Sequence, residues 1–200
     1  METFEAFDRA VACTADVVKG VHADQLSAGT PCTEWTVRAL LNHLVGTLWL
    51  AEGLLGDTPP RQLMPPGGLP EADLLGEDPA AAYTEAAAAA LAAARAGDAL
   101  IRTHATPFGE MPGPLLAGFC ILDVAVHGWD LATATGQHIH LEDDLAAHLL
   151  AFAEQTMADA ASRGGRIAAP VPTAAGAPTA DRLVAFLGRH PAGTAVTTRP

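Results

Sequence analysis

Asp123 and His127 stand four residues apart in Leu115-Leu-Ala-Gly-Phe-Cys-Ile-Leu-Asp-Val-Ala-Val-His-Gly-Trp-Asp-Leu-Ala132. On a helix that spacing puts both side chains on one face, one turn apart. Their neighbours are apolar, and a carboxylate and an imidazole among apolar groups need polar partners. A metal ion is one such partner. His43, in Leu40-Leu-Asn-His-Leu-Val-Gly46, offers a third ligand from another segment. Two imidazoles and a carboxylate form a borderline donor set, suited to zinc, nickel, iron(II) or manganese rather than copper(I). Three protein ligands leave positions open for water or substrate. The competing reading is a hydrogen-bonded core, with Asp123 and His127 paired to each other and His43 elsewhere. Spacing alone does not bring the two segments together.

Asp130 follows His127 by three residues and is placed to orient its ring from behind, or to form a surface or interhelical ion pair. Trp35 and Trp129 read as core or pocket walls. His138, His140 and His148 read as loop and helix-surface residues. The chain shows no phosphate-binding loop, no dinucleotide glycine pattern and no serine elbow.

The elements that carry these residues are helical. Phe4, Phe7, Val11, Thr14, Val18 and Val21 make one apolar stripe, which predicts a first helix. A second begins after Pro31, with Thr33 or Thr36 as N-cap, and is apolar around most of its girth. A third runs from about Pro79 to Arg102, rich in alanine. The fourth, about Pro114 to Ala134, carries Asp123 and His127 and ends at Gly136. A fifth spans about Glu142 to Ser162, and a short one about Thr179 to Gly188. The segment from Gly56 to Pro79 is rich in Gly and Pro but also holds Leu63, Met64, Leu69, Leu74 and Leu75. It is expected to border the site or a contact between copies in a homodimer. Strand signal is weak; Ile167 and Val171 could pair with Ala195 to Thr198.

Bulk properties narrow the class. Of 200 residues, 50% are hydrophobic and 17% charged, which predicts a folded chain. The net charge of −12, with Lys19 the single lysine, argues against nucleic acid as a partner. The first ten residues carry Glu2, Glu5 and Asp8, so no signal peptide is expected. The most apolar internal run is taken as Ala86 to Ala94, too short for a bilayer. A cytoplasmic protein without a membrane partner is expected. Cys13, Cys32 and Cys120 are far apart and read as reduced structural thiols.

Thr30-Pro-Cys-Thr-Glu-Trp-Thr-Val-Arg-Ala-Leu-Leu-Asn-His43 and Asp123-Val-Ala-Val-His-Gly-Trp-Asp-Leu-Ala-Thr-Ala-Thr-Gly136 together resemble the mycothiol-dependent maleylpyruvate isomerase N-terminal family. That family belongs to the DinB/YfiT-like metal-binding bundles. An actinobacterial subgroup of about this length, described only as metal-binding, is the nearest in pattern, and Ala180 to Pro191 also resembles it. The resemblance implies a mainly α fold: a DinB-like four-helix bundle over residues 1–164 with a short C-terminal α/β appendage over 165–200. By motif position it places the metal on His43, Asp123 and His127. It also implies a divalent metal, often zinc, with a low-molecular-weight thiol such as mycothiol as cosubstrate. The implied activity is S-transfer or isomerisation on a small electrophile. The acid here is Asp123 where the isomerase-type pattern has Glu, and residues 165–200 are shorter than the isomerase's second domain. A metal-dependent hydrolase and a non-catalytic metal- or ligand-binding protein are the alternatives; fold and ligation do not establish catalysis.

Overall fold

Four long helices, α1 (Thr3–Lys19), α2 (Val37–Leu55), α3 (Pro79–Arg95) and α4 (Gly113–Thr135), dominate the computed structural model. It describes residues 1–61, 65, 68–107, 109–165 and 167–191. All four helices lie in one compact unit, residues 2–140. Helices α1 and α2 each pack against both α3 and α4, so the four close into a bundle. The α1 stripe explains its place: Ala6, Phe7, Ala10, Val11, Val17 and Val18 are buried, while Glu5, Asp8 and Asp16 are exposed. Burying such a stripe is the main reason a helix of this length holds in water.

Helix α2 starts where Thr36 caps it, accepting a hydrogen bond from the Ala39 N–H at 3.2 Å. Leu40, Leu41, Leu44, Val45 and Leu48 are fully buried, in keeping with its nearly all-round apolar surface. Helix α3 starts at Pro79 after Asp78, whose carboxylate accepts from the Ala80 and Ala81 N–H groups. It ends at Arg95, seven residues before the expected end, because Ala96 turns extended and Gly97 adopts a left-handed φ of 52°. Alanine propensity carries the helix only as far as that backbone break.

The strands also lie elsewhere than expected. β1 (Thr103–Thr106) and β2 (Gly109–Pro112) form an antiparallel hairpin between α3 and α4, with Thr103 opposite Pro112 and Thr106 opposite Gly109. Four-residue strands are too short to show alternation, so this pairing carries no signal in the sequence. Ile167 and Val171 are in no strand, and Ala195 to Thr198 lie outside the described residues.

Helix α4 is long and apolar enough to cross a bilayer by length and composition, which the Ala86–Ala94 reading overlooked. Yet 72% of its apolar window is buried inside the protein. It is the bundle's core helix, and α1 approaches it closely at Gly128, where a Cβ would collide with Thr14 Oγ1. Thr14 is itself fully buried and donates to the Val124 carbonyl at 3.0 Å.

From Leu141 onward the chain forms a second compact unit with α5 (Asp143–Thr156) and α6 (Thr179–Phe186), which pack on each other. The expected appendage began at residue 165; internal contacts group α5 with it. Helix α5 ends at Thr156 rather than near Ser162. Arg163 ties the unit together, donating to the Ala168 and Phe186 carbonyls at 2.7 and 3.0 Å and lying over the Phe186 ring.

Candidate metal centre

The turn before α2 delivers the first groups. Thr30 Oγ1 donates to the carbonyls of Cys32 and Trp35 and accepts from the Cys32 N–H at 3.1 Å. The tight loop this makes presents Cys32 and Trp35 on one side. In the second turn of α2 comes His43, and one turn further Thr47. From α4 come Asp123, His127 and Asp130 at i, i+4 and i+7. Packing of α2 against α4 brings the two sets face to face.

His43 Nε2 lies 3.0 Å from Asp123 Oδ2 and 3.2 Å from Oδ1. His127 Nε2 lies 3.5 Å from Asp123 Oδ1. Ligand atoms of the three residues all fall within 4.8 Å of one another. The two imidazoles meet edge to face with centroids 4.8 Å apart, and the Trp35 ring leans on both, at 4.7 Å from His43 and 5.6 Å from His127.

The hydrogen-bond partners decide which nitrogens are free. His43 Nδ1 is 2.5 Å from the Gly68 carbonyl, which can only accept, so Nδ1 carries the hydrogen. His127 Nδ1 is 2.8 Å from Asp130 Oδ2 and donates to that carboxylate in the same way. A neutral ring with its hydrogen on Nδ1 presents a bare lone pair at Nε2. Both Nε2 atoms therefore aim lone pairs toward the Asp123 carboxylate, itself all acceptor. Three acceptors at this separation repel unless a cation, a proton or a metal, lies among them. The donor set fits a divalent metal on that ground.

Where a proton rather than a metal lies among these acceptors, the rings are charged and the carboxylate responds. Burial alone would raise the Asp123 pKa, but the charges of protonated His43 and His127 and hydrogen bonds from His43 and Thr47 outweigh it. They hold the carboxyl well below the usual carboxylate range. For His43, burial works to lower the pKa; the Asp123 charge, its hydrogen bond and the Gly68 carbonyl reverse this and raise it.

Among the expected residues, His43, Asp123 and His127 come together, with Asp130 behind His127 and Trp35 over both rings. Trp129 does not join them: two positions past His127, it leaves α4 in another direction, and no ring contact links it to the site among the described residues. His138 and His140 are exposed. The Gly56 to Pro79 segment borders the site through Gly68, and Asn42 pins it by bonds to the Ala72 carbonyl and the Leu74 N–H. Leu75, within this segment, is buried, whereas Leu63 and Met64 lie outside the described residues.

Three participants were missed. Thr47 Oγ1 donates to Asp123 Oδ2 at 3.0 Å; its position, i+4 from His43, was the available signal. Cys32, read as a structural thiol, lies with Sγ 3.3 Å from Asp130 Oδ2 and 3.7 Å from His127 Nδ1. Gly68 acts through its backbone, which no side-chain pattern reveals. Cys13 and Cys120 stay away from the site as free thiols; burial pushes Cys13 up to about 11 and Cys120 higher still.

Residues 7–132 match the family described as "Mycothiol maleylpyruvate isomerase N-terminal domain". Two relatives, from two strains of Mycobacterium tuberculosis, are each 36% identical over 195 residues, covering 94% of this chain and 98% of their own. Both are described as uncharacterized proteins. No solved structure matches.

Proposed function

The chain belongs to the mycothiol maleylpyruvate isomerase N-terminal domain family, and from that premise we propose that it is a divalent-metal protein acting as a thiol-dependent S-transferase or isomerase. The observation that carries the metal is the convergence of two Nε2 lone pairs on the Asp123 carboxylate. His43, Asp123 and His127 would hold the ion, zinc being the first candidate. Bound there, a divalent metal would supply Lewis acidity that favours the thiolate form of a thiol such as mycothiol.

The chain's own groups do the rest. The Gly68 carbonyl and Asp130 hold the two imidazoles in the tautomer that offers Nε2. Thr47 orients Asp123 from one side. Trp35 covers the rings and keeps water from their outer faces. With both histidines engaged, no side chain stands free among these residues as a general base, which suits a reaction whose nucleophile arrives as a thiolate.

Elemental analysis of purified protein comes first, with His127→Ala beside it; that variant should lose stoichiometric metal. Conjugation of a small electrophile is then followed with and without added thiol. Turnover that requires thiol supports the transferase reading. Turnover without thiol points to hydrolysis by activated water, and retained metal without turnover to a binding protein. Full metal content in His127→Ala would show the ligand set to be wrong.

A further inference from the structure

Two clusters of three donors share the His127 ring, and they differ in hydrogen count. On the Nε2 side, His43, Asp123 and His127 offer lone pairs with no hydrogen among them when the rings are neutral. On the Nδ1 side, the His127 N–H at 2.8 Å and the Cys32 S–H at 3.3 Å both donate to the same Asp130 oxygen, Oδ2. The first cluster calls for a cation. The second is satisfied as hydrogen bonds, although its atoms are also close enough to ligate.

We propose that Cys32 is a positioning residue for the metal centre, acting on His127 through Asp130; the inference rests on the metal reading above. Asp130 is fully buried, so the direction of its carboxylate is set by the groups that donate to it. Cys32 is well placed to set it. Its N–H is held by Thr30 Oγ1, its carbonyl accepts from that hydroxyl and from the Trp35 N–H, and the turn leads straight into the α2 cap. The thiol thus links the turn before α2 to the back of an α4 ligand. Without the S–H, Oδ2 loses a donor that stands beside the His127 N–H, and the carboxylate is freer to turn from His127 Nδ1. The ring then loses part of its orientation, and Nε2 is less well aimed.

The test is zinc affinity, measured by competition with a chromogenic chelator, on the full chain. Asp130→Asn, which removes the charged acceptor, should weaken zinc by about 10- to 100-fold, the usual range for an outer partner of a ligating histidine. Cys32→Ala should weaken it several-fold, up to about tenfold, as a more distant link in the same chain. Cys32→Ser, which keeps a donor, should recover most of the loss. The double variant Cys32→Ala/Asp130→Asn should bind like Asp130→Asn alone, because Cys32 has nothing left to act through. The cobalt(II) form of the wild type should lack thiolate charge-transfer absorption.

Additive losses in the double variant, serine as weak as alanine, or unchanged affinity in Cys32→Ala would each overturn the proposal. A thiolate–cobalt band would overturn it too, by making Cys32 a direct ligand. A wild-type chain that takes up no zinc removes the metal reading and this inference together, whereas wild-type binding with an inert Cys32 removes the inference alone.

Discussion

Asp123→Asn keeps the shape of the side chain and deletes its charge, and it acts oppositely on the metal-free and metal-loaded protein. In the metal-free protein Asp123 lies 3.0 Å from His43 Nε2, and below about pH 6.5, where His43 carries a proton, the two form an ion pair. At an effective dielectric of ~20, opposite unit charges at that distance attract by about 5 to 6 kcal/mol. Desolvation of two largely buried groups takes back several of these. The loss is further capped because His43 can shed its proton, at ~1.4 kcal/mol per pH unit below its raised pKa. A net destabilisation of roughly 1–3 kcal/mol follows at mildly acidic pH. The sign with pH comes from His43, whose pKa is raised on folding. Its contribution is complete below the unfolded value of about 6.5 and fades as pH rises through the folded value. The gap in thermal midpoint between chelator-treated wild type and variant should therefore be widest near pH 6 and narrow toward alkaline pH. With metal present the variant should lose stoichiometric binding at every pH. The assays are thermal melts across pH and elemental analysis. A gap that widens with pH, or a variant that keeps its metal, would refute the reasoning.

Wild-type metal affinity should rise with pH, since the ion must displace the proton that Asp123 stabilises on His43; chelator competition from about pH 5 to pH 8 that gives a flat affinity removes histidine ligation from the account. Gly68→Ala places a Cβ within 3.2 Å of the Trp35 ring at a φ of 76° and disturbs the carbonyl that orients His43. It should lower stability by about 1–2 kcal/mol and weaken metal as well, whereas an unchanged melt and affinity would detach the loop from the site. Cys13, pushed up to about 11 by burial, has on the order of one thiol in a thousand ionised at pH 8. It and buried Cys120 should resist alkylation until the protein unfolds, as peptide mass mapping would show; rapid labelling of either in the folded protein would contradict the packing.

Periodicity and capping were enough to recover the helices from sequence, because those signals are local. The α1 stripe, Thr36 and Pro79 mark where helices begin and which face they bury. The pairing of Asp123 with His127 was equally legible, since a spacing of four puts two side chains on one face of any helix. The end of α3 was not, because alanine favours a helix up to the point where Gly97 reverses the backbone. Nor were the four-residue strands, whose pairing depends on chain segments meeting rather than on pattern. That His43 faces Asp123 was decided only by the packing of α2 on α4, and the motif resemblance anticipated it without explaining it. Which nitrogen each histidine offers depends on Gly68, 25 residues from His43, and on Asp130 across the ring. Thr47 and Cys32 gained their roles in the same way, from distances of 3.0 and 3.3 Å to α4 carboxylates. Spacing along one helix is dictated by the backbone, but hydrogen-bond partners between helices exist only once the apolar faces have closed.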